Sequence, residues 1–154
     1  MPYEVRQRIK SRNQMWTSMD EKELQAFCRD WLATWTGNNP DALLEYYHKD
    51  AVYSDPAHRK GLKGHEEIRR YFVKLLDFYR EWKWEPIEIF PIKNGAIVKW
   101  KNSIPTGTEV IRETGLDIVE IEGRKIVRNE VYFDRSRLLA AVEKRRRDQR
   151  LIDL

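Results

Sequence analysis

The chain has 154 residues, a net charge of +4 and one cysteine, Cys28. That length suits a single domain with a real core; a lone cysteine excludes an internal disulfide, and no apolar run approaches the ~18 residues of a membrane span. The charge sits at the ends: residues 1–14 and 143–150 each carry +3, which leaves −2 for the rest of the +4 total, so a nucleic-acid-reading face on the folded body is disfavoured.

No secretory signal pattern is present, so a soluble cytoplasmic protein without a membrane role is expected. Residues 1–19 alternate basic and polar side chains and read as a basic arm. Asp20 and Glu23 form a capping-box pair that opens a helix. Leu24, Phe27, Cys28, Trp31, Leu32 and Trp35 then recur at helical spacing, which makes Cys28 a buried, inert thiol. Gly37 is the candidate cap at the helix end. Asn39-Pro40-Asp41 starts a second, short helix with Ala42, Leu43, Tyr46 and Tyr47 inward.

A brief strand follows at Ala51 and ends at Asp55-Pro56, because proline cannot donate to a ladder. Residues 58–64 read as a polar loop. A third helix is predicted from His65 to about Trp82, with Ile68, Tyr71, Phe72, Leu75, Leu76 and Tyr79 as its stripe. The period then changes to two. Strands are predicted over 84–91, 96–104, 109–121 and 125–134, with a hairpin signal at Asn94-Gly95. Arg135 onward is a helical tail anchored by Leu138, Leu139 and Val142. The domain proper thus spans 20–137, and 138–154 is a basic helical tail. Helices segregated from a meander make an α+β fold.

Two carboxylates stand out. Asp55 shares a strand face with Tyr53 and is delivered where the strand stops. The plain alternative is a surface aspartate opening an Asp-Pro turn. Asp117 sits mid-strand in GLDIVEI, where aspartate is uncommon. Alternation allows it to face either the core, which would raise its pKa, or the solvent.

Three stretches, NPDALLEYYHKDAVYSDPA, GLKGHEEIRRYF and GLDIVEIEGRKIVRNEVYFD, resemble the SnoaL-like, or nuclear-transport-factor-two-like, superfamily. The resemblance implies a curved antiparallel sheet wrapped by three helices around a conical apolar cavity, with the helical tail added at the C-terminus. Among such proteins the ketosteroid isomerases carry a general base that matches Asp55 and a protonated aspartate, donor to the enolate, that matches Asp117. Their oxyanion-hole tyrosine falls on Trp31, whose indole N–H is a weaker acid, and a second tyrosine falls on Phe72. The limonene epoxide hydrolases use an Asp–Arg–Asp set, but no basic residue lies on an inward row of this sequence.

Strand parity and this resemblance together give further pocket candidates: Trp31, Trp35, Tyr53, His58, Tyr71, Trp100, Val119, Asn129, Val131 and Phe133. Each aromatic among them also fits plain core packing. The expectation is a small enzyme doing cofactor-independent, metal-free acid–base chemistry on an apolar cyclic ketone, steroid-like or polyketide-like molecule. Isomerisation, cyclisation and dehydration all fit, with Asp55 as base, Asp117 as acid and Trp31 as an extra donor. The alternative is a non-catalytic module that binds a hydrophobic ligand or a partner protein. The resemblance also implies a homodimer through the open sheet face, where Glu130, Tyr132 and Asp134 share a row.

Overall fold

A computed structural model of the protein describes residues 19–153, so the basic arm lies outside the described residues except for Met19. Helix α1 spans Glu21–Ala33. Its capping box is formed: Asp20 Oδ1 accepts from Glu23 N at 2.8 Å, and Glu23 Oε2 accepts from Asp20 N at 3.0 Å. Leu24, Cys28, Trp31 and Leu32 fall on one buried face. Thr34, not Gly37, caps the helix; Gly37, at φ +97°, belongs to the turn that leads to α2 (Pro40–Leu44). Asn39 caps α2 through Ala42 N at 3.1 Å.

Strand β1 runs Tyr47–Asp55, four residues earlier than the sequence suggests. The extra length comes from pairing in parallel with β7 (Lys125–Tyr132), a contact between residues about eighty apart that no local pattern reveals. Residues 58–63 are not a loop. They form β2 (His58–Lys63), which turns back on β1 through Pro56 and Ala57. Helix α3 covers Gly64–Phe78 and buries Ile68, Phe72 and Leu76. It stops short of Trp82, whose indole N–H instead donates to the Trp35 carbonyl.

The remaining strands are β3 (Lys83–Ile92), β4 (Gly95–Pro105), β5 (Val110–Ile111) and β6 (Thr114–Glu122). Lys93 and Asn94 make the β3–β4 turn, and Gly95 already pairs with Ile92. Gly95 is there for another reason: a Cβ would lie 1.9 Å from the Val119 carbonyl oxygen. The strand expected over 109–121 is broken, because Glu113 N donates to the Asn102 side chain rather than to a main-chain carbonyl. The open sheet has the order β2-β1-β7-β6-β4-β3, with β5 added to β4, and only β1–β7 is parallel. Helices α1 and α3 pack across it, α1 against β3 and β4 and α3 against β1 and β2. Helix α4 (Ser136–Ile152) follows β7, held by buried Leu138 and Ala141.

Candidate active site

Asp117 faces inward on β6 and is 3% exposed. Trp100 Nε1 donates to its Oδ1 at 2.7 Å, and Asn129 Nδ2 donates to its Oδ2 at 2.7 Å. Behind Asn129 a chain fixes this arrangement. Trp31 Nε1 donates to the Tyr47 hydroxyl at 3.2 Å, and that hydroxyl donates to Asn129 Oδ1 at 2.7 Å. An indole N–H can only donate, so the hydroxyl proton points at Asn129 and the amide must turn its NH2 to Asp117. Asp117 is therefore an acceptor at both oxygens. One lone pair on each oxygen remains uncommitted, and the residue lines a cavity. Burial pushes its pKa up to about 7; the Asn129 and Trp100 hydrogen bonds oppose that rise, and the Asp55 charge adds to it.

Asp55 stands at the end of β1, in the same wall. Its four acceptor positions are all taken. Oδ1 accepts from Ala57 N and His58 N at 2.8 Å each, in the turn that proline dictates. Oδ2 accepts from the Tyr53 hydroxyl at 2.9 Å and the Tyr71 hydroxyl at 2.6 Å. A base needs a free lone pair, so Asp55 can act as one only after a phenol swings away. Both phenols have pKa values raised, first by burial and then by the Asp55 charge.

The cavity encloses about 80 Å³. That is about half of the ~150 Å³ that holds a benzene ring in a closed apolar cavity. Its walls are aromatic: Trp84 meets Trp100 edge to face at 4.5 Å, and Trp100 meets Phe133 at 5.6 Å. Asp55, Asp117, Trp35, Tyr53, Tyr71, Trp100, Val131 and Phe133 all line it. Trp31, Val119 and Asn129 do not; they are fully buried behind the wall. The Trp31 N–H is committed to Tyr47 and is not available as an extra oxyanion donor. His58 is also outside the wall, with its ring 4.3 Å from Tyr71 and its backbone N–H on Asp55.

Sequence reasoning missed other wall residues. Trp82, Trp84, Tyr79 and Leu139 line the cavity, and so does Arg135, contrary to the expectation of no inward basic residue. Trp84 was legible from its parity on β3. Arg135 lies beyond the last strand residue, Tyr132, where parity no longer predicts direction. Among the described residues no group of His, Cys, Asp and Glu is placed to hold a metal, and no helix is long and apolar enough to cross a membrane.

An open curved sheet, helices packed across it and a cavity between them define a nuclear-transport-factor-two-like α+β domain. The SnoaL-like domain matches residues 28–129, and the chain belongs to that family. Similar solved structures include a Catenulispora acidiphila protein of ketosteroid isomerase-like fold in complex with trimethylamine. It is 19% identical over 76% of this chain and 92% of that one, with a TM-score of 0.67. SalBIII, an epoxide hydrolase/cyclase-like enzyme of pyran ring formation in salinomycin, is 16% identical over 75% and 93%, with a TM-score of 0.65. TerC, co-crystallised with polyporic acid, is 14% identical over 78% and 98%, with a TM-score of 0.66. At these identities the likeness is one of fold. No curated protein matches the sequence.

Proposed function

We propose that this protein is an acid–base enzyme that moves a proton at a carbon beside a carbonyl, with Asp117 as the proton carrier. The observation behind this reading is the state of Asp117: buried in an aromatic cavity, held at both oxygens, its pKa near 7 and a lone pair uncommitted. A group titrating near the working pH is present in both forms and transfers protons readily in either direction. Because the network supplies only donors, a proton on Asp117 has to occupy one of the uncommitted positions. Asp55 then serves as a fixed anion that orients Tyr53 and Tyr71, whose oxygens keep lone pairs of their own.

The substrate in this reading is a small cyclic ketone, because the enclosed volume takes only part of one ring, with the rest left in the open mouth, and has no room for a steroid or polyketide skeleton. Structural neighbours that form a pyran ring or hold polyporic acid are consistent with a cyclic ligand. No cofactor is needed for such a step. A homodimer through the open sheet face and a cytoplasmic setting belong to the same proposal, with 20–137 as the working domain.

The test is deuterium incorporation. Small cyclic ketones and 3-cyclohexenone would be incubated with the protein in D2O and followed by NMR. The protein should speed exchange at the α-carbon or shift the double bond, and Asp117→Asn should lose about 10²–10⁴-fold of that rate. An Asp117→Asn variant that keeps the rate would end the reading. No acceleration with any ketone would favour a binding module of the same fold.

A further inference from the structure

Proton transfer by Asp117 leaves the cavity's free donors without a role. Arg135 lines the wall, and among the described residues its guanidinium has no ion pair and no side-chain hydrogen bond. Its charge reaches the hydroxyls of Tyr71 and Tyr79, where it opposes the upward pull of burial on their pKa values. It does not serve Asp55, whose acceptor positions are filled by two phenols and two backbone N–H groups. Trp84, in the same wall, has a buried indole N–H with no acceptor.

Guanidinium and indole N–H groups donate and cannot accept. A molecule that satisfies them must bring oxygens, and the one facing Arg135 is best negative. The planar guanidinium matches a carboxylate in two parallel hydrogen bonds. Position agrees with this. Half-buried Arg135 and exposed Leu139 mark the open end, while buried Trp100 and Asp117 lie inside. A carboxylate at the open end keeps part of its hydration, which a charge at the floor would lose.

We infer that the cavity selects ring compounds bearing a carboxylate, with the acid group on Arg135 at the mouth and the ring between the tryptophan walls. This rests on the acid–base reading and names its substrate class: a cyclic keto acid. Arg135 is a specificity-determining residue in this arrangement. It binds the acid group, and the reacting carbon lies deeper.

The test uses benzoate and benzamide, a charged and a neutral ligand of nearly one shape, titrated at neutral pH against the tryptophan fluorescence of the intact protein. Benzoate should bind about 10-fold tighter or more, the value of a charge-assisted hydrogen bond. Arg135→Gln should abolish the preference for benzoate over benzamide, while Arg135→Lys should keep part of it. Equal binding of the two probes, a preference that survives Arg135→Gln, or binding of neither would each overturn the inference. These outcomes stand apart from those of the ketone exchange test. Loss of the benzoate preference leaves Asp117 chemistry intact, and failed exchange with the preference intact refutes the acid–base reading while the acid-binding mouth remains.

Discussion

Replacing Asp117 by asparagine should reverse the order of stability between acid and alkaline pH. In the unfolded chain the carboxyl titrates near 3.8, and in the fold near about 7. The native state therefore holds the proton more tightly. Its stabilising contribution is complete below about pH 4 and is lost as the pH rises through about 7. At about 1.4 kcal/mol per pH unit the loss is roughly 4 kcal/mol. Asparagine does not titrate, so the variant lacks this loss. It has another cost. Its NH2 must face either Trp100 Nε1 or Asn129 Nδ2, both donors, so one buried bond is replaced by a conflict. That conflict costs about 1–3 kcal/mol at every pH. Asp117→Asn should then be about 1 kcal/mol less stable than the wild type at pH 4.5, where about 1 kcal/mol of the contribution is already lost, and about 2 kcal/mol more stable at pH 8.5. Urea unfolding at both pH values measures the difference, and titrating groups remote from Asp117 cancel between the two proteins. A difference that does not move with pH would mean an ordinary carboxyl at 117, and the acid–base reading would lose its basis.

The same pKa predicts that kcat/KM on a reactive ketone rises with pH and levels off above about 7, if Asp117 takes the proton; a flat profile from pH 5 to 9 would exclude it as the base. Tyr53→Phe removes a buried hydroxyl donor from Asp55 and should lower stability by about 2 kcal/mol in urea unfolding, a hydrogen bond to a charged acceptor. Gly115→Ala would put a Cβ 2.5 Å from the Trp100 ring and 2.7 Å from the Tyr132 carbonyl oxygen. It should displace the indole from Asp117 and raise that carboxyl's pKa further, read by carboxyl NMR titration; an unchanged titration would show that the ring yields without losing its bond. Gly95→Ala, with its Cβ on the Val119 carbonyl, should cost about 3 kcal/mol or more and appear as a loss of folded protein by circular dichroism.

Sequence alone determined the fold class and most of its elements, because those signals are local. The Asp20–Glu23 cap, the stripe through Leu24, Cys28 and Trp31, and the alternation of β4 each depend on neighbours within a few residues. It also brought forward both carboxylates, since an aspartate inside a strand or at an Asp-Pro stop breaks the local pattern. Tertiary structure decided the rest. The direction of Asp117 depended on which face of β6 met the helices, and alternation is symmetric between faces. β2 formed without an apolar rhythm because β1 offered an edge, and β1 grew because β7 lay parallel beside it. The assignment of roles depended on long-range hydrogen bonds. Tyr71 reaches back to fill Asp55, and Trp31, Tyr47 and Asn129 join three elements to turn one amide toward Asp117. Arg135 entered the cavity from a loop, where no period constrains direction. A linear pattern can say which residues are chemically able; only packing says which of their lone pairs and protons are left free.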